Sequence, residues 1–547
     1  MGDPPGAGRQ WLRKGADPGV RRQVRLGVLR AVPRGGGIGA AIRRPPQLPD
    51  GPGQRARGHA GNRTGSAGRR RHDHGEAGDA LPGPDLAGAP ALRCAHCGLP
   101  GERGVFDDRG GGAQRPPHLA TRLRTLPCGL DVVVHRDAGS PQVAVSVWYR
   151  VGGSDERPDR TGFAHLFEHL FKSPAERLGG HHYEVLRRAG ATEANASTSA
   201  DRTAYHEVLP AHQLALALWL ESERMGYFAR DFDPERLVAQ QAVVRAERRQ
   251  RYEDVPYGAE RFAVALALYP EAHPLRHLTI GRHDDIQAAT VDDVLAFFRT
   301  WYVPANATLV IAGDVDPDAE LDALVDRYFG SFPASRRPVR AVPPPPLPGR
   351  ATARVDDRFA ALGRLHRAWL GPVAFGDDEA ELDAATAAWV APGTGAIWRR
   401  LVYETQLAQR VSAWTVNGRL GGEVHVAVDL RSGADPGVVR AMLDELCRTG
   451  IDERAIERAV TRREAGAIWG LAGLARRASL IQRYMLYRHE PDGLAAELTR
   501  YRAVTPAGVD RAIARWLDPA REVEVETVAG APAGAASDRV MDPGSAP

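Results

Sequence analysis

Four consecutive prolines, Pro343 to Pro346, followed by Pro348, set the layout of this chain. Proline has no backbone N–H and a fixed φ, so neither a helix interior nor a central strand passes through such a run. Residues 336–350 are therefore expected to form a stiff, polyproline-like linker with a folded unit on either side. On the N-terminal side, 130–135 (LDVVVH) and 143–151 (VAVSVWYRV) are β-rich, 192–199 and 203–209 read as a hairpin turned at 200–202, and 307–312 as a buried strand. Helical periodicity is expected over 159–176, 182–189, 211–227, 234–252, 258–268 and 291–301. Beyond the linker, strands are expected near Arg354 and Leu365 and over 409–416, 423–430 and 522–528, with helices at 436–448, 453–469 and 506–516. Each half runs strands, helices, strands, which is α+β rather than a doubly wound sheet. The similar size and order of the halves suggest a duplication. The expected domains are 121–335 and 351–530, with a loose tail over 531–547.

Residues 1–120 do not read as a domain. Gly and Pro make up about a third of them, no period of 3.6 or 2 is sustained, and about 20 Lys/Arg stand against about 10 Asp/Glu. Such a stretch cannot bury enough apolar surface to offset chain entropy, and is expected to be a disordered or spurious leader. Few aromatics lie between its arginines, so no nucleic-acid partner is expected. The four cysteines exclude a disulfide-stapled scaffold, and Cys94 and Cys97 make only half of a metal knuckle, because Cys128 and Cys447 form no second pair. The start lacks a basic end followed by an apolar core, and no apolar run is long enough to span a bilayer. A cytoplasmic location without a membrane span is the expectation, with export if the true start lies downstream.

The segment 161–172, TGFAHLFEHLFK, carries the chemistry. His165 and His169 are four apart and share one face of a helix, about a turn from each other, where two imidazoles can bind one zinc ion. Glu168 lies three residues from His165 on the same side. It can accept a proton from a zinc-bound water without itself being a ligand. Phe163, Leu166, Phe167 and Leu170 supply the packing flank. An H-x-x-E-H pattern should arise by chance about 0.04 times in a chain of this composition. A catalytic zinc needs a third protein ligand and an open fourth position. Glu247, in the long charged helix that ends in VVRAERRQRYEDVPY, is the candidate, with Glu253 and Asp254 as alternatives.

With these residues in view the chain resembles the pitrilysin/insulinase family, inverted-zincin metallopeptidases that include the mitochondrial processing peptidases. The resemblance covers residues 121–530 and is strongest over 129–333. It rests on H-x-x-E-H and on VVRAERR, whose Glu247 stands within one residue of the family's spacing. It implies one Zn2+ per chain held by His165, His169 and Glu247, with Glu168 as general base. It also implies two related α+β halves facing each other across a chamber, and a zinc-dependent endopeptidase acting on peptides or unfolded polypeptides. Residues 192–199 (TEANASTS) resemble the family's substrate-binding edge strand, with Asn195 and Ala196 at the cleft-lining positions. The family also contains non-catalytic assembly subunits on the same fold, and these are the alternative reading.

Two departures from the family pattern stand out. Gln240 occupies a position often acidic in the family. In single-chain relatives an Arg and a Tyr from the second half reach the substrate carbonyl, but the matching positions here are Val402 and Gln409. Valine donates no hydrogen bond, and glutamine is a neutral substitute. The resemblance to processing peptidases, which pair unlike chains, then implies a heterodimer with a homologous subunit that lacks H-x-x-E-H and supplies the Arg and Tyr. Arg477 and Tyr484 have the right spacing to be an internal replacement, but fall in a helical stretch.

Overall fold

The computed structural model describes residues 22–23, 117–172, 181–230, 232–340, 342–343, 346 and 349–530. Most of the expected leader, the Cys94/Cys97 pair, much of the proline run and the tail 531–547 lie outside these residues. Cys128 and Cys447 are buried and not disulfide-bonded.

Two six-stranded sheets carry the fold. The strands are β1 (Arg22–Gln23), β2 (Arg122–Thr125), β3 (Asp131–Arg136), β4 (Gln142–Tyr149), β5 (Glu193–Thr198), β6 (Thr203–Pro210), β7 (Ala307–Gly313), β8 (Ala351–Asp357), β9 (Arg364–Gly371), β10 (Ala408–Asn417), β11 (Gly422–Leu430) and β12 (Val523–Ala529). The first sheet has the order β2-β3-β7-β4-β6-β5, and the second β1-β8-β12-β9-β11-β10. Five strands correspond one to one. The β3/β7 and β8/β12 pairs are parallel, and the remaining shared neighbours are antiparallel. The same topology on both sides of the linker is what the repeated strand–helix–strand order led us to expect. The sheets differ at one edge, where β2 is antiparallel to β3 and β1 is parallel to β8.

Each sheet is covered on both faces, which is why β4 and β7 read as continuous apolar runs rather than alternating ones. On one face of the first sheet, Val143, Val145 and Val147 join Phe163, Phe167, Leu218, Val294 and Val325 in the largest core. The other face is closed by a helix from the far end of the chain. Ala478, Ile481 and Met485 of Leu474–Arg488 pack on Val133, Ala144, Val310 and Ala312. The exchange is mutual, since Ala263, Val264 and Leu268 of Gly258–Leu268 pack on Ala353, Val355, Val523 and Val525 of the second sheet. Periodicity marked both helices, but it cannot say which sheet a helix covers.

Helices Glu379–Val390 and Leu494–Arg502 have no counterpart in the sequence expectations. Most sides of the first are buried (Leu382, Ala384, Ala385, Ala388 and Trp389), so it carries no amphipathic stripe to read. The helix expected over 159–176 begins only at Phe163. The residue before it, Gly162, has φ +85°, and a Cβ there would stand 2.9 Å from the Gly281 Cα. Only glycine turns the chain into the helix at that point.

Candidate metal centre and catalytic site

Helix Phe163–Lys172 buries Phe163, Leu166, Phe167, Leu170 and Phe171 against the sheet and turns His165 and His169 the other way. Its N-terminus is held by Glu156, whose carboxylate accepts from the backbone N–H groups of Gly162 and Ala164, both at 2.7 Å. A carboxylate against free N–H groups at a helix start is a favourable placement. Burial raises the pKa of Glu156, and the hydrogen bond from His277 at 3.0 Å works the other way.

Glu247 lies at the end of helix Pro234–Arg248, which opens with Asp233 capping the Glu235 N–H and Pro234 in the first turn. Glu247 Oε2 stands 3.2 Å from His169 Nε2 and 3.6 Å from His165 Nε2. The two rings are 4.8 Å apart, centroid to centroid, at 82°. Hydrogen bonding to His169 is the largest influence on the Glu247 carboxyl, and both imidazoles and Arg251 add to it, pulling its pKa down to about 2. Two imidazole nitrogens and one carboxylate oxygen within 4.8 Å of one another form a donor set that suits zinc and leaves a position open.

The alternative ligands are engaged elsewhere. Glu253 pairs with Arg248 at 2.7 Å and His283 at 2.9 Å, and Asp254 is half exposed, 3.8 Å from Arg358. A second cluster, His182, Glu207 and Glu221, is wholly buried. The Arg224 guanidinium sits inside it, 2.6 Å from His182 Nε2 and 3.2 Å from Glu221, so a cation already occupies that position.

Glu168 is buried, and Thr198 Oγ1 donates to its Oε2 at 2.6 Å. Thr198 is the last residue of β5, the edge strand of the first sheet, which among the described residues pairs with β6 alone. The sequence reading passed over Thr198. Its signal was the alternation along 193–198, which puts Thr198 on the same face as Ala196. Asn195 and Ala196 lie in this strand, and Asn195 Oδ1 accepts the Ala196 N–H at 2.8 Å.

Val402 is partly buried against the second core, and Gln409 is exposed at the start of β10. Packing engages both residues of the internal pair elsewhere. Tyr484 is fully buried with its hydroxyl on Glu497 at 2.6 Å, and Arg477 is paired with Asp137.

Residues 131–258, which hold the histidines, Glu168 and Glu247, match the model of the Insulinase family (Peptidase family M16). Residues 288–463 match the model described as the Peptidase M16 inactive domain. This chain belongs to the insulinase (M16) family of peptidases. Among the described residues the second half offers no His/Glu metal set, in keeping with that description. The zinc protease PqqE of Helicobacter pylori is 28% identical over 387 residues, covering 68% of this chain and 84% of that protein. An uncharacterized zinc protease of Streptomyces coelicolor is 26% identical over 407 residues, covering 72% and 86%. A solved protease from Helicobacter pylori shares the fold with a TM-score of 0.69 at 23% identity, over 75% of this chain and 100% of its own. The periplasmic protease PqqL of Escherichia coli aligns with a TM-score of 0.61 at 18% identity, over 75% of this chain and 47% of that one. No helix among the described residues is long and apolar enough to cross a membrane.

Proposed function

We propose that the chain is a zinc-dependent endopeptidase that cleaves peptides or unfolded polypeptides at the site formed by His165, His169, Glu247 and Glu168. The observation that carries this reading is the convergence of Glu247 on a histidine pair from a different helix, with a buried carboxylate one residue from His169. His165, His169 and Glu247 would hold one zinc ion per chain. When bound, zinc supplies Lewis acidity toward the scissile carbonyl and lowers the pKa of water. Glu168 accepts the proton of the attacking water and passes it to the leaving amine. Thr198 holds one oxygen of that carboxylate and so fixes its direction.

The substrate adds to the free edge of β5 as an extended strand, exchanging main-chain hydrogen bonds past Asn195 and Ala196. The small Ala196 side chain lets the backbone come close. Few segments of a folded domain are free to extend along such an edge, so unfolded segments are the preferred class.

The pairing with a second, homologous chain is part of the same proposal. Val402 and Gln409 put no strong donor at the two positions where single-chain relatives carry Arg and Tyr, and Tyr484 is buried in a core. A partner bearing the Arg and Tyr would complete the site. The test is metal analysis and turnover of a fluorogenic peptide by the purified chain, alone and with the product of a neighbouring homologous reading frame. Stoichiometric zinc and turnover that rises with the partner support the proposal. A chain that binds no zinc is instead an assembly subunit.

A further inference from the structure

We propose that Arg419, in the second half, is a positioning residue for the peptide-binding edge of the first half, its guanidinium acting through Asp155 and Ser154 beside the backbone bond to Asp201. The proposal rests on the reading of β5 as that edge.

Asp201 sits at the tip of the β5–β6 hairpin and is buried. Its Oδ2 accepts the backbone N–H of Arg419 at 2.7 Å and the hydroxyl of Tyr487 at 3.0 Å. Both donors come from beyond the proline run. The Arg419 guanidinium continues past Asp201 and donates to Asp155 Oδ1 and to Ser154 Oγ, each at 3.0 Å. Ser154 in turn donates from its hydroxyl and its backbone N–H to the Ala200 carbonyl in the same hairpin tip, at 2.7 and 2.8 Å. Arg340, next to the proline run, adds a second guanidinium to Asp155 at 2.7 Å. Two buried carboxylates of the first half are thus neutralised by arginines from the linker and the second half.

The approach is shaped for this contact. A Cβ on Gly418 would stand 2.9 Å from Asp201 Oδ2 and push on the carboxylate that accepts the Arg419 N–H, so a larger residue there disturbs this contact. On the other side, a Cβ on Gly152 would stand 2.2 Å from the Ser199 carbonyl, which accepts the Gly153 N–H at 3.0 Å. The hairpin tip is therefore gripped from both sides.

The grip matters because, among the described residues, β5 has a partner strand on one side only. Its placement depends on β6 and on the tip. Thr198, which bonds Glu168, is three residues from Asp201. Removing the Arg419 guanidinium takes one of two arginines from buried Asp155, breaks the bond to Ser154 and withdraws a charge 3.9 Å from Asp201, which loosens the tip and the strand that substrate must pair with. The zinc ligands stand on helices and are not touched.

The test uses the full chain with Arg419→Ala, Arg419→Lys and the milder Tyr487→Phe. Amide exchange over β5 should rise about tenfold or more in Arg419→Ala, as expected for loss of hydrogen bonds to a charged group, and stay unchanged in β7. Zinc content should be that of the parent. KM for a fluorogenic peptide should rise about tenfold with kcat within about threefold, the signature of lost substrate binding. Binding of a dye-labelled peptide to the chelator-treated chain should weaken in parallel, and Arg419→Lys should recover part of each effect. Unchanged β5 exchange and KM in Arg419→Ala overturn the proposal. If Arg419→Ala unfolds throughout, Tyr487→Phe decides it, with β5 alone loosened as support and no change as refutation. A parent chain that neither binds nor cleaves peptide overturns the underlying functional reading instead, whatever the hairpin does.

Discussion

Thr198 Oγ1 lies 2.6 Å from Glu168 Oε2, joining the edge strand to the motif helix through one short O–H···O bond. Bonds of this kind to a carboxylate are among the strong ones. Thr198→Val keeps the shape and removes the donor. Turnover should fall about tenfold with zinc content unchanged, matching one lost charge-assisted hydrogen bond. Thr198→Ser should keep most of the activity. A Val variant as fast as the parent would show that the bond does not orient the carboxylate.

Glu168→Gln preserves volume and takes away the proton acceptor. It should retain zinc and lose about 10²–10⁴ in rate, the usual contribution of a general base. Metal analysis and peptide turnover on the same sample check this, and undiminished turnover removes Glu168 from the role.

Glu247→Ala should bind zinc more weakly, whereas Glu253→Ala should keep it, because Glu253 is paired with Arg248 and His283. The reverse pattern would move the third ligand. Chelation should abolish activity without unfolding the chain, since the core that packs the motif helix is built from apolar side chains on both sides of the sheet. Circular dichroism before and after chelation reads this directly.

One buried network loses stability on acidification. Against the second sheet, Glu260 accepts from Thr527 at 2.9 Å and lies 2.6 Å from His366, with Arg364 at 3.6 Å. His366 Nε2 is 3.1 Å from His425 Nδ1, and Glu423 lies 2.9 Å from His425 and accepts from Tyr269 at 2.8 Å. Burial lowers the pKa of His366 from 6.5 and outweighs the opposing pull of Glu260. Burial opposes ionisation of Glu260 and Glu423 too, but their hydrogen bonds and neighbouring charges win and hold both below 4.5. All three lowered values mean that the unfolded chain takes up protons first. The His366 contribution erodes below about pH 6.5, and the carboxylate contributions erode below about pH 4.5 as pH falls toward the folded values. His366 should therefore make the urea midpoint fall more between pH 7 and pH 5 in the parent than in His366→Gln. His182 and His135, also lowered by burial, act the same way, whereas burial raises the carboxyls of Glu207, Glu221 and Glu156, which act the other way. A pH dependence unchanged in His366→Gln contradicts this account.

Tyr484→Phe should leave peptide turnover unchanged while costing about 1–3 kcal/mol of stability, because it removes a buried hydrogen bond to Glu497. Loss of turnover without loss of stability would return Tyr484 to the reaction.

Taken alone, the sequence determined whatever depends on neighbours along the chain. The four-residue spacing of His165 and His169 is a helical repeat, so both rings had to share a face once 163–172 was helical. The apolar runs at β3, β4 and β7 marked strands buried on both faces, and the repeated order on either side of the proline run pointed to two sheets of matching topology. Tertiary structure decided what depends on distance in space. It set Glu247 rather than Glu253 beside the histidine pair by the contact of two helices, a placement that periodicity could not give because both residues lie in one charged stretch. It sent Leu474–Arg488 back onto the first sheet and so took Tyr484 into a core. It also brought Arg419 to Asp201 and Thr198 to Glu168. Those contacts are set by sheet order and by the close approach that Gly418 and Gly152 permit, and no local pattern encodes a meeting between residues that far apart.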